Sequence, residues 1–310
     1  MGVEIPQKRN EPGSEGDEQD PKVSSKLRVA ADNLPLSFEM FPPRSAAGHS
    51  ALAETVDRLA DVATGGFSVT MGSGGGTRAG THETAIEIAR RSNRPVMAHL
   101  TALGQSRSDV LETAERFWRD GITSVLALRG DPPLSGKHFH DEGFNHANEL
   151  VAALKRQHDF RIAVAAYPEK HPEAGSLDED IDFLRKKLDA GASEAICQFV
   201  LDPAAYGHFL DACARRGVTA PVVPGLMPLE NWSRVRALAE INGTRVPHEL
   251  DSLFTNLNDR GEDTQSAAMD VFLKDAHRLI AYGAPALHVY ALNRWEMPLA
   301  LARALGHAAR

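Results

Sequence analysis

Eleven residues of the chain carry side chains or backbone suited to chemistry, and each closes or directly follows a short apolar run: Glu39, Thr70, His99, Arg129, Gly130, Asp131, Tyr167, Gln198, Gly225, Asn293 and Arg294. An acid, a hydroxyl, an imidazole, an Arg-Asp pair, a phenol and an amide brought to one rim would form a concave polar site for a large, anionic ligand. Each has a plainer reading by itself. Glu39 could pair with Arg44, and Arg129 with Asp131, as loop ion pairs. His99 has no second His or Cys at ligand spacing, so a metal is not expected. Gly72-Ser73-Gly74-Gly75-Gly76-Thr77 lacks the Gly-Lys-Ser/Thr ending of a P-loop. Lys186 and Lys187 fit a solvated helix face as well as a phosphate contact. What outweighs these readings is the recurrence of a reactive group at run after run.

Those runs must be strands for the convergence to occur. Eight are found, at 36–41, 66–70, 95–100, 123–128, 161–166, 194–199, 221–224 and 286–292. Pro42 and Pro43 stop the first one abruptly, which puts Glu39 at its C-terminal end. Amphipathic stretches separate the runs: Leu52, Val56, Leu59 and Ala63 recur at helical spacing after the first, and Met269, Phe272, Leu273, Ala276 and Ile280 before the last. Ser106 with Asp109, and Ser176 with Glu179, have the spacing of helix caps, and Asp202-Pro203 opens another helix. Gly65, Gly121, Gly191, Gly217 and Gly283 are each placed to end a helix in a left-handed turn. A longer helical insertion runs from about Leu229 to Leu257.

Strands alternating with helices over ~270 residues predict a single-domain (β/α)8 barrel, in which catalytic groups sit on the C-terminal rim. A doubly wound open sheet is the alternative, but Phe41-Pro42-Pro43 is not the glycine fingerprint such a fold carries after its first strand. Residues 1–27 are polar and almost free of large apolar side chains, and are expected to be a disordered tail preceding a barrel over 28–310. With 42% hydrophobic and 25% charged residues in 310 the composition is that of an ordinary globular chain. No run has the length of a membrane span and no secretory signal opens the chain, so a soluble cytoplasmic protein is expected. A formal net charge of −8 argues against nucleic acid as a partner. The two cysteines, Cys197 and Cys213, are expected to be buried, reduced thiols.

Several longer motifs add a resemblance. Ser37-Phe38-Glu39-Met40-Phe41-Pro42-Pro43, Ser68-Val69-Thr70, Ala98-His99-Leu100-Thr101, Leu128-Arg129-Gly130-Asp131, Ala165-Ala166-Tyr167-Pro168-Glu169 with His171-Pro172-Glu173-Ala174, Gln198-Phe199 and Leu292-Asn293-Arg294 occur in order between Leu34 and Gly306. Together they resemble the bacterial methylenetetrahydrofolate reductase family. The resemblance implies a flavin-bearing barrel that reduces 5,10-methylenetetrahydrofolate to 5-methyltetrahydrofolate with NAD(P)H, NADH ahead of NADPH, and a homo-oligomer. It implies FAD contacts from Thr70, His99, Arg129, Gly130, Asp131, Ala147, Tyr167, His171, Ala174, Asp180 and Lys187, and folate contacts from Glu39, Asp131, Gln198 and Arg294.

On that resemblance Glu39 would supply the proton at N10 that opens the imidazolidine ring, and Asp131 would tune the flavin toward hydride donation. Gln198 would meet the pterin edge, while Arg129 and Lys187 would meet ribityl and diphosphate oxygens. The chain departs from the enterobacterial type at two places. His146 stands where that type has a Tyr after Arg-Gly-Asp, and Leu238 where it has a Phe that stacks on nicotinamide and folate, with Trp232 or a neighbour a candidate substitute. Direct hydride transfer without bound flavin, and a catalytically silent folate or flavin binder, are the competing readings.

Overall fold

The computed structural model of the chain describes residues 34–71, 78–130 and 142–308. The expected tail at 1–27, the glycine run at 72–77 and Asp131 lie outside the described residues. Eight parallel strands close into a barrel in sequence order: β1 Leu36–Met40, β2 Gly66–Val69, β3 Val96–Thr101, β4 Ser124–Leu128, β5 Arg161–Ala166, β6 Glu194–Phe199, β7 Val222–Leu226 and β8 Leu287–Tyr290. Ten helices surround it among the described residues: α1 Ala46–Leu59, α2 Arg78–Ser92, α3 Arg107–Arg119, α4 Ala147–Gln157, α5 Leu177–Asp189, α6 Pro203–Arg215, α7 Trp232–Asn242, α8 His248–Asp259, α9 Thr264–Ala281 and α10 Glu296–Ala304. The predicted barrel is therefore the observed one. None of the helices is long and apolar enough to cross a membrane.

Local signals account for most boundaries. Ser106 and Ser176 cap α3 and α5 by accepting from the N–H groups of Asp109 and Glu179, both at 3.1 Å. The Glu179 carboxylate reaches back one residue beyond the usual box and accepts from Gly175 N–H at 2.8 Å. Asp202 caps α6, with Pro203 in its first turn. Among the predicted glycine stops, Gly121, Gly191, Gly217 and Gly283 have positive φ, whereas at the first of them the turn falls one residue later, on Gly66 at +87°. Gly65 is needed for a different reason: a Cβ there would lie 3.1 Å from the Leu36 backbone.

The seventh strand runs past its predicted end. Pro224 cannot donate a ladder hydrogen bond, and the β6–β7 register shifts between Ile196 and Phe199, opposite that position. This irregularity lets β7 continue through Gly225 to Leu226. The insertion predicted after it is two helices, α7 and α8, separated by the left-handed Gly243.

Apolar burial divides into two layers. The larger core lies between strands and helices and includes Phe38, Phe67, Phe117, Phe160, Phe209 and Phe272. A small separate cluster of Leu126, Ala163 and Ile196, with Met97 and Leu128 against it, fills one side of the barrel lumen. Cys197 and Cys213 are free and buried, and burial pushes the Cys213 thiol up to about 12.

Where the barrel closes, β8 pairs with β1, and Asn293 locks the seam. Its side-chain oxygen accepts from Phe41 N–H at 3.0 Å and its amide donates to Phe41 O at 2.9 Å, while Thr55 donates to the Asn293 carbonyl at 2.9 Å. Asn293 holds φ of +57°, a conformation Asn tolerates better than most residues. Asn293→Ala leaves both Phe41 groups without these partners and puts Ala in a left-handed position. It should cost about 2–3 kcal/mol, read as a lower urea midpoint at unchanged slope, and a loss under about 0.5 kcal/mol would show that Asn293 does not hold the seam.

Candidate active site

The other side of the lumen is polar, and Glu39 is at its centre. Its side chain is 13% exposed and lies 3.5 Å from His99 Nε2 and 3.4 Å from His288 Nε2. The strands dictate this meeting. Residues two apart on a strand face the same side, and the register sets Ser37 opposite His288 and Glu39 opposite Tyr290 and Ser68. Ser37 Oγ is 2.7 Å from His288 Nδ1, and Ser68 Oγ is 3.5 Å from His288 Nε2. With Nε2 protonated and donating to the Glu39 carboxylate, Nδ1 accepts from the Ser37 hydroxyl, which fixes the ring.

His99 differs from His288. Burial lowers its pKa, with Glu39 pulling the other way, so the ring is neutral at neutral pH. Its buried Nε2 makes no hydrogen bond among the described residues. Tyr290 spans the lumen from β8 and donates to Cys197 O at 3.0 Å, and burial together with Glu39 keeps its phenol protonated far above neutrality. Gly225 makes that crossing possible, because a Cβ there would lie 2.6 Å from the Tyr290 ring.

Beside this centre, the ends of β4 and β5 open into a cleft of about 360 Å³. Arg129, Gly130, Ala147, Tyr167, His171, Ala174, Asp180 and Lys187 all line it, eight of the residues the sequence singled out. Arg129 pairs with Glu173 at 2.6 Å and holds that carboxyl below its usual range. Lys187 donates to Ala165 O at 2.5 Å, and burial lowers its ammonium to about 8, with Asp180 opposing the shift. The loop between β5 and α5 is tied by its own bonds. His171 N–H donates to Asp180 at 2.9 Å, Lys170 Nζ to Ala174 O at 2.6 Å, and the Tyr167 and His171 rings meet edge to face at 4.7 Å.

The remaining predicted residues are dispersed around the rim. Thr70 and Arg294 line a separate depression of about 690 Å³ beside Pro42 and Pro43. Arg294 is 56% exposed and paired with Glu230 at 2.9 Å. Gln198 lies under the insertion: its amide donates to Asn242 at 3.1 Å and its oxygen accepts from Phe199 N–H at 3.0 Å, leaving one N–H and one lone pair for a ligand. Trp232 is not free to replace a stacking Phe. It is 6% exposed, stacks on Phe254 at 4.9 Å and donates to Asp251, and so belongs to the packing of α7 on α8.

His288 was not among the candidate residues read from the sequence. His288 sits one layer below the rim, inside a strand, where position alone gives no signal. Asn293 lay within a recognised motif, but its bonds to Phe41 required knowing that β8 meets β1.

Residues 23–306 match the family model described as methylenetetrahydrofolate reductase. The chain is 34% identical over 285 residues to the 5,10-methylenetetrahydrofolate reductase of Salmonella typhimurium (strain LT2), covering 92% of this chain and 95% of that one. The identity and coverage are the same for the 5,10-methylenetetrahydrofolate reductase of Escherichia coli (strain K12). Among solved structures, a Clostridium thermocellum protein that binds two copies of 5-methyl-5,6,7,8-tetrahydrofolic acid superposes with a TM-score of 0.61 at 13% identity, over 91% of this chain and 97% of that one, which shows a common fold. With a family match across nearly all of its length and relatives at this identity, the chain belongs to the methylenetetrahydrofolate reductase family.

Proposed function

We propose that the chain reduces 5,10-methylenetetrahydrofolate to 5-methyltetrahydrofolate, with FAD held in the β4–β5 cleft and NAD(P)H, NADH ahead of NADPH, as reductant. One observation carries the reading: the cleft gathers eight expected cofactor residues on the same barrel that holds the Glu39 carboxylate between two imidazoles. The cleft's chemistry fits such a cofactor. Lys187 is a partly desolvated cation, Arg129 a second one, and Gly130 takes a left-handed turn at +88° that brings backbone close to the wall. His99 Nε2 is a buried polar atom with an unused hydrogen-bonding position.

In this reading Arg129 and Lys187 neutralise phosphate charge, Asp180 and the His171 loop fix the ribose region, and Tyr167 and Ala165 form the wall. FAD, when bound, supplies the hydride chemistry. The chain's own contribution to the reaction is the proton. Glu39 is an acid inside the lumen, and His288, held by Ser37, aims its carboxyl. Protonation of the folate N10 weakens its bond to the methylene carbon and exposes that carbon to reduction, so acid catalysis belongs to the folate half of the cycle alone. Gln198, with one donor and one acceptor position left, suits a pterin edge.

Glu39→Gln keeps the shape and removes the proton. Anaerobic stopped-flow should show NADH bleaching the flavin at an unchanged rate, while reoxidation by methylenetetrahydrofolate slows by about 10²–10⁴. Equal collapse of both half-reactions would make Glu39 structural. Wild-type protein that turns over folate without taking up FAD would favour direct hydride transfer, and tight binding without turnover a silent binder.

Lys187 gives a pH signature. Burial disfavours its proton in the free protein, and an anionic diphosphate would restore it, so binding takes up a proton. FAD affinity should be constant below about 8 and fall as the pH rises through that value, by at most about tenfold per pH unit. Lys187→Met should bind FAD more weakly with a flat profile; an unaltered slope would remove Lys187 from the phosphate site.

A further inference from the structure

Gln198, near the end of β6, is held from two directions. Phe199 N–H donates to its Oε1 at 3.0 Å, and its Nε2 donates to Asn242 Oδ1 at 3.1 Å. Asn242 is the last residue of α7, and its own amide is anchored: Nδ2 donates to the Leu238 carbonyl one turn back, at 2.8 Å. The ends of this series admit one polarity. A carbonyl only accepts and a backbone N–H only donates, so Asn242 turns its NH2 to Leu238 and its oxygen to Gln198, which answers with NH2. Phe199 independently demands the same orientation of the Gln198 amide.

The end of α7 is itself pinned. Gly243 follows at φ of +68°, and a Cβ there would lie 3.1 Å from Pro172 of the β5–α5 loop. Two residues further on, Arg245 N–H donates to Glu169 at 2.8 Å, and its guanidinium pairs with Asp202. Glu169 and Asp202 follow β5 and β6, so the α7–α8 connection is fastened to the loops after both strands and holds Asn242 against Gln198. The fissure that Gln198 and Asn242 line together has a volume of about 10 Å³, room for one water at most. A substrate therefore reaches Gln198 from its other side, and Asn242 acts on the amide rather than on the substrate.

We propose that Asn242 is a positioning residue that fixes which way round the Gln198 amide faces, making the site selective for a pterin edge with an N–H beside a C=O. This rests on the folate reading of Gln198 above. The lactam edge of a tetrahydropterin carries a donor, N3–H, beside an acceptor, O4. A primary amide pairs with that edge in one order only; reversed, acceptor faces acceptor and donor faces donor. A 4-amino pterin inverts the pattern, with an NH2 in place of O4 and an unprotonated N3. Gln198 could accommodate the inverted edge only by exchanging its two ends, which breaks its bonds to both Asn242 and Phe199.

The test is calorimetric titration of the purified protein with 5-methyltetrahydrofolate and with its 4-amino analogue. Wild-type protein should prefer the 4-oxo compound by roughly tenfold or more. Asn242→Ala, which releases the amide on one side, should weaken that compound by about 3- to 10-fold and narrow the preference by a similar factor. In a Gln198→Ala background the same substitution should change neither affinity by more than about twofold, because its effect passes through Gln198. Asn242→Asp keeps an acceptor toward Gln198 and should restore the preference. Equal weakening of both compounds, the same loss in the Gln198→Ala background, or no preference in the wild type would overturn the proposal. Unchanged binding by Asn242→Ala beside weakened binding by Gln198→Ala would overturn it and leave the folate reading intact. Wild-type protein that binds neither compound, or Gln198→Ala protein that binds both as the wild type does, would refute the folate reading of Gln198 and the proposal with it.

Discussion

A carboxylate almost closed off from water must be satisfied by its surroundings, and Glu39 meets His288 Nε2 across a seam that only a closed barrel can deliver, with His99 on its other side. His288 comes from the last strand and His99 from the third, on either side of the first. An open sheet of the same strands would leave β1 and β8 at opposite edges, and the carboxylate would lose His288 and the serine behind it. Closure is thus a chemical requirement of the site as well as a way of removing sheet edges. The Asn293 clamp on Phe41 lies at this seam, one step along the chain from the strand that carries the acid. Backbone strain at Leu292 and Asn293, both with positive φ, is located where strand order and site geometry depend on each other.

The lumen shows how the barrel divides its duties. Leu126, Ala163 and Ile196 make one side an ordinary packed core. Ser37, Glu39, Ser68, His288 and Tyr290 make the other side a hydrogen-bonded polar layer. A buried polar network is stable only when its members are satisfied, and here the exception is His99 Nε2. An orphaned donor or acceptor inside an otherwise complete network marks the position where a ligand would finish the bonding.

The sequence was most informative where one residue type decides local geometry. Ser, Asp and Gly at helix ends were legible because capping needs only a few neighbouring atoms, and four of five left-handed stops fell on the predicted glycine. Strand existence was legible from apolar runs, but the end of β7 was not, because Pro224 is tolerated only through a register shift that depends on β6. For the site, residues at strand ends were found by position and those gathered in the cleft by motif. His288 was missed because it is one pair of residues below the rim, where a histidine in a strand has no distinguishing neighbour. Trp232 was misjudged for the opposite reason: an aromatic residue near a binding loop is conspicuous in sequence, and its burial against Phe254 is a property of tertiary packing.

The two parts of the site are built on different physical terms. The β5–α5 loop is complete without a ligand: Lys170, His171, Ala174 and Asp180 bond to one another, so its shape is set before anything binds. Lys187, beside it, is the reverse. Its ammonium sits where burial opposes charge, with one carbonyl and a nearby acid as compensation, and a better-balanced partner would stabilise the fold. Such a residue is favourable to the protein only in company. A rigid loop and an under-compensated cation on the same wall have complementary effects: the first keeps the cleft from collapsing, and the second makes an anion the species that relieves it.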